Sequence, residues 1–403
     1  MPRMLGSIFL LICALAGRQV PSVPRPGLQK TTPFPLVDWQ PTQAPPDAEY
    51  VGSSTCATCH LAEAEHRRST HMAQALHLAA DSDILHAHPR IAFSLGQYSY
   101  EVVREGSNEV YSVSDGKRRI SEVILWAFGE GRAGQTYVFR HDGVYYESRV
   151  SFFNRTLGLD ITIGHSPDVP GSLEEALGNP LTFEGLVSCI GCHATGAVDS
   201  QLKLRLDRLI PGISCEGCHG PGARHVANVK AGNLTALQIF NPGRLRPGDL
   251  VNFCGSCHRT KLQVEHMNAK GIETIRFQPY GLVNSACYNP NDPRISCTAC
   301  HDPHEDARTD PASYDSSCLA CHKNSLPSPK RTLPSSHPKT SDAKESRSSL
   351  QSAIRDAPAC PVNGRDCVTC HMPKHDVKGA HAVFTDHWIR TVLPPRGMRP
   401  VAP

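Results

Sequence analysis

Past residue 16, no apolar run is long enough to cross a bilayer as a helix, so the sequence reads as not membrane-spanning. Charge of either sign is in little excess. Forty-one Lys and Arg against 38 Asp and Glu leave +3, which gives no basis for nucleic acid as a partner. Aromatic residues make up only 6% of the chain, and many of its Tyr and Phe fall between residues 91 and 153.

Cysteine and histidine, by contrast, are plentiful, with 17 and 21 copies. Most of the cysteines lie in seven pentads of the form Cys-x-x-Cys-His: Cys56-Ala-Thr-Cys59-His60, Cys189-Ile-Gly-Cys192-His193, Cys215-Glu-Gly-Cys218-His219, Cys254-Gly-Ser-Cys257-His258, Cys297-Thr-Ala-Cys300-His301, Cys318-Leu-Ala-Cys321-His322 and Cys367-Val-Thr-Cys370-His371. This is the attachment pattern of c-type haem. Two thiols three apart share one face of a helical turn, where both can add to one porphyrin, and the adjoining His reaches the iron. A zinc knuckle or thiol redox pair needs only Cys-x-x-Cys, so a His in the fifth place of all seven copies argues against both. Seven covalently attached haem c groups are expected, with His60, His193, His219, His258, His301, His322 and His371 as proximal iron ligands.

The basic start Met1-Pro2-Arg3 and the short apolar run ending Ala14-Leu15-Ala16 read as a secretory signal at residues 1–16, cleaved near Ala16. A lipid anchor at Cys13 lacks the small residue expected before it. An exported, periplasmic location suits covalent haem attachment, and there the two remaining cysteines, Cys287 and Cys360, could form a disulfide or stay as thiols. Residues 17–48 are Pro-rich and read as a tether. Residues 49–90 form the first haem-binding segment, with helix expected from Thr55 to Ala80.

The first two pentads start 133 positions apart, and later ones 26, 39, 43 and 21 apart up to Cys318. After Phe183 the pentads follow one another so closely that too little chain is left per pentad for an ordinary apolar core. Within the long gap, residues 91–155 alternate like a β-meander with turns at Asp115-Gly116 and Asp142-Gly143. The expected fold is therefore mainly α, with little regular structure around stacked haems in a core at 156–323, plus a small antiparallel β insert. Residues 324–358 read as a flexible linker, 359–391 as the seventh haem segment and 392–403 as a tail.

Fourteen histidines lie outside the pentads, twice the number of distal iron positions. The favoured distal candidates are His71, His165, His225, His304, His381 and His387, then His266 and His337. His71 follows His60 by eleven residues, about 16 Å along a continuous helix. His225 and His304 also follow their neighbouring proximal His too closely to reach around the same haem. Each is expected to bind the iron of an adjacent haem, fastening two pentads together, so metal binding and folding become one process. Met72, Met267 and Met372 are the lesser candidates. The haem propionates would turn the formal charge acidic and pair with Lys and Arg.

Tyr50-Val51-Gly52-Ser53 through His60 to His71-Met72-Ala73 resembles the opening of the multihaem cytochrome c-554/c-552 family. Cys215 through Gly220-Pro221-Gly222-Ala223-Arg224-His225 resembles a segment shared with nitrifier tetrahaem cytochromes and hydroxylamine oxidoreductase-like proteins. Cys297 through His301-Asp302-Pro303-His304, and Cys367 through Met372-Pro373-Lys374 with His381 to His387, resemble later segments of exported multihaem cytochromes. The likeness covers residues 50–391 and implies that His71, His225 and His304 are distal ligands. The chain has no Cys-x-x-Cys-Lys, as pentahaem nitrite reductase does, and no helical repeats follow the pentads.

The leading expectation is an electron carrier, not an enzyme: mostly bis-His haems relaying electrons from redox partner proteins, with a membrane quinol-linked donor. The alternative is a multihaem oxidoreductase acting on small nitrogen or sulfur compounds at one open-coordinate haem. The sequence leaves oligomeric state and catalytic residues open.

Overall fold

The computed structural model describes residues 47–235, 237–322, 360, 364–377 and 379–392. The signal reading at 1–16, nearly all of the tether, the linker 324–358, His337 and the tail past Val392 lie outside the described residues.

One nine-stranded antiparallel sheet dominates the N-terminal half. Its strands are β1 (Leu76–Leu78), β2 (Arg90–Leu95), β3 (Tyr98–Glu105), β4 (Asn108–Ser114), β5 (Arg119–Phe128), β6 (Gln135–His141), β7 (Val144–Phe153), β8 (Gly158–Ile161) and β9 (Gly178–Pro180). β2 to β8 follow one another as neighbours, β1 adds to β5 and β9 to β7. The expectation of a mainly α molecule with a small β insert is overturned. The sheet is large and curls until β8 lies near β2, almost closing a barrel.

Three features explain the curl. Arg119–Ser121 and their neighbours in β5 pair with β4, whereas Ile124–Phe128 pair with β6, and β1 takes the edge that β4 has left. Register shifts between Ile124 and Trp126, and between Thr136 and Val138, bend the ladders as bulges do. The Asp142-Gly143 turn has φ of 47° and 82°, both left-handed, which matches the twist of the hairpin it closes.

The enclosed core contains Tyr100, Tyr111, Tyr137, Phe139 and Phe152, with Leu173 and Leu177 of a short helix beneath them. Tyr111 satisfies its buried hydroxyl by donating to the Leu177 carbonyl, 3.1 Å away. Side chains on the opposite face of the sheet form a second apolar cluster. Leu76, Trp126, Phe128 and Val138 receive Leu186, Val187 and Ile190 of the helix Phe183–His193. The second pentad therefore ends a helix docked directly on the sheet.

The expected helix from Thr55 to Ala80 is also corrected. Helices at Ser53–Ala57 and Leu61–Arg67 give way to turns, and then to β1. Sheet pairing takes Leu76–Leu78 because β5 offers an open edge, which local helix propensity cannot anticipate.

Candidate haem-binding site

The pentads sit on short helical turns. They occupy Ser53–Ala57 and the following residues, the C-terminal ends of Phe183–His193 and Pro247–His258, Cys215–His219, the 3₁₀ turn Cys297–Ala299, Asp315–His322 and Cys367–His371. Thr182 caps the second of these helices by accepting from the Gly185 amide at 3.0 Å.

Three pentad histidines face a histidine from another segment. The ring centroids of His60 and His225 are 6.4 Å apart, those of His219 and His304 are 6.2 Å apart with planes 6° from parallel, and those of His301 and His387 are also 6.2 Å apart. Two imidazoles gripping one metal from opposite sides, each at about 2.0–2.1 Å from nitrogen to metal, hold their centroids roughly 6.3 Å apart. The partners follow a pattern: His225 comes after pentad three, His304 after pentad five and His387 after pentad seven.

Hydrogen bonding orients these rings. Nδ1 of His193 lies 2.8 Å from the Ala75 carbonyl, that of His219 2.9 Å from Phe240, that of His225 2.9 Å from Leu237, that of His371 3.0 Å from Arg390 and that of His387 3.0 Å from Thr385. A ring that donates from Nδ1 to a carbonyl is left with a lone pair on Nε2, the form that binds a metal. Burial lowers the pKa of His193, His258 and His301 and pushes His387 down to about 4, which favours the neutral ligand. His387 is placed by close backbone packing. A Cβ on Gly281 would lie 2.8 Å from the His387 carbonyl carbon, so only glycine lets this strap approach.

Other distal candidates are engaged elsewhere. His71 Nδ1 lies 2.8 Å from Asp306 and 3.2 Å from Glu130, with Arg132 against Nε2. His165 is buried with Nε2 3.1 Å from Glu147, and His381 holds Asp160 at 2.7 Å and packs on Phe153. His266 is exposed at the end of the helix Lys261–His266, in which Gln263 and Val264 are buried. Cys287 and Cys360 stand as separate, half-buried thiols.

Thiols from different pentads approach one another: Cys56 and Cys215, Cys192 and Cys257, Cys254 and Cys297, Cys318 and Cys367. Each contact marks two neighbouring pentads. Three polar side chains that the sequence reading passed over fix such neighbours. Glu216 accepts from the Val51, Gly52 and Gly222 amides, tying pentad three to the entrance of pentad one. Asp315 accepts from the Asp366 and Cys367 amides, and Ser317 donates to the Ala299 carbonyl. The only sequence signal for Glu216 was an acid inside a pentad.

Residues 174–220 and 317–391 match the family model described as cytochrome c554 and c-prime; these two stretches contain pentads two, three, six and seven. No curated protein matches the sequence. Among solved structures, the crystal structure of outer cell wall cytochrome OcwA matches with a TM-score of 0.43 and 15% identity, covering 85% of this chain and 79% of that one.

Proposed function

We propose that this chain, a multihaem c-type cytochrome with covalently bound haem c, is an exported electron carrier that holds seven haems, at least three of them with two histidine ligands. The observation that carries the reading is the set of three imidazole pairs at 6.2–6.4 Å, each joining a pentad to a segment beyond another pentad. When bound, haem supplies one-electron chemistry at the iron. The chain's own residues do the rest. Fourteen pentad thiols would tether the haems, the seven pentad histidines would ligate iron, and His225, His304 and His387 would supply second ligands at pentads one, three and five.

Cross-ligation makes pentads one, three, five and seven a continuous series, and the thiol contacts bring two, four and six alongside it. The signal reading of residues 1–16 supports export, and among the described residues no helix is long and apolar enough to cross a membrane. A membrane quinol-linked donor is the proposed redox partner.

The test is mass spectrometry with electron paramagnetic resonance on protein matured in a cytochrome-competent host. Seven haem additions and low-spin signals are expected, and His225→Ala should convert one haem to high spin. Fewer haem additions would refute the count. A native high-spin haem that binds nitrite, hydroxylamine or cyanide would move the assignment to an oxidoreductase.

A further inference from the structure

Pentads one and three exchange buried charges. Glu216, inside pentad three and only 2% exposed, reaches across to the backbone just before pentad one. Its Oε1 accepts from Val51 at 2.9 Å and Gly222 at 2.7 Å, and its Oε2 from Gly52 at 2.8 Å. With both oxygens acting as acceptors, the side chain is bound as a carboxylate. Arg67, on the helix following pentad one and 7% exposed, reaches the other way. Its guanidinium donates to the Ile213 carbonyl at 2.7 Å, two residues before Cys215, and to the Thr70 hydroxyl.

The surroundings leave these two charges prominent. Burial, reinforced by Glu216, pushes the nearby Tyr50 hydroxyl up to about 12, so it stays neutral. Burial also lowers the Arg67 pKa, against the opposing pull of Cys218 and Cys215 and, less strongly, Asp306. Buried charges act through a low dielectric and are felt more strongly than surface ones. A negative charge favours ferric iron, and a positive charge favours ferrous iron.

Resting on the haem assignment above, we propose that Glu216 and Arg67 are positioning residues that set a redox gradient, with the site at pentad one lower in potential than the site at pentad three. One electron then passes downhill from the iron at pentad one, which is oxidised, to the iron at pentad three, which is reduced. No proton or bond change accompanies the step. The hydrogen bonds that place the charges also fix the separation, since Cys215 Sγ comes within 3.5 Å of Ser53 Oγ beside pentad one.

The test is a spectroelectrochemical titration of the seven-haem protein and its variants, with magnetic signals resolving individual haems. Glu216→Gln keeps two of the three amide bonds and loses the charge. It should raise the potential at pentad one, changing the ferric-to-ferrous ratio there about tenfold at fixed ambient potential, equivalent to about 59 mV for one electron. Arg67→Gln should lower the potential at pentad three. Glu216→Asp and Arg67→Lys should restore the potentials towards wild type even where stability falls, an outcome that a purely structural role would not produce. Full haem content with unchanged potentials in both charge-removing variants would overturn the gradient. Haem content that falls short of seven in the wild type would instead overturn the assignment beneath it.

Discussion

The sheet and the pentad region are held together by different means. The sheet carries a packed aromatic core in which Tyr100, Tyr111, Tyr137 and Phe139 are fully buried. The helices Ser53–Ala57, Asp315–His322 and Cys367–His371 bury no residue, and Cys215–His219 buries only Glu216 and Gly217. In the sheet, apolar side chains exclude water from one another. Around these four helices, isolated polar contacts and paired imidazoles mark out the interior that porphyrins would fill, whereas the helices Phe183–His193 and Pro247–His258 of pentads two and four bury Leu186, Val187 and Ile190, and Leu250, Val251 and Phe253. On the proposed reading, one chain holds a part that folds on side-chain burial and a part whose stability is bound up with its cofactor.

The harshest way to break this comparison is to prevent haem attachment. Chain made without cytochrome maturation should show hydrogen-exchange protection in β2 to β7 and almost none across residues 214–322. Equal protection in both regions would show that the pentads fold without haem. A smaller effect sharpens the comparison from the sheet side. Phe139→Ala empties a fully buried site against Tyr111, whose ring lies 5.0 Å away, and should cost the sheet about 3–5 kcal/mol of unfolding free energy, measured by denaturant titration. The low-spin haem signals should survive where the pentads are still assembled. The mildest change lies at the join. Thr182→Ala removes the cap of the helix that bears pentad two and should cost about 1 kcal/mol, measured as loss of exchange protection in Phe183–His193.

Several elements were legible because their signals are local. The two Asp-Gly turns lie between alternating strands, and the structure puts hairpin connections at both. The size of the sheet was not legible. β1, β8 and β9 are three or four residues long, and each exists because an edge of a longer strand was free to pair with it. Mainly α was therefore the wrong class: pentads announce helical turns strongly, but those turns are short.

The candidate site divides the same way. His225, His304 and His387 were among the candidates the sequence favoured, and the first two follow their own pentads so closely that a partner elsewhere was expected. Their partners could not be named, since each pairing joins positions far apart in sequence. Glu216 and Arg67 were invisible for a related reason, because an acid within Cys-Glu-Gly-Cys-His or an arginine on a helix signals nothing until its buried partner is known.

By itself the sequence determined where attachment chemistry is expected, since the thiol spacing and the adjoining imidazole lie within five residues. Tertiary structure alone decided which imidazoles face each other, which pentads touch and where the buried charges lie. These depend on distances between chain segments that local spacing does not constrain, and that burial, edge pairing and a few long-range hydrogen bonds set together.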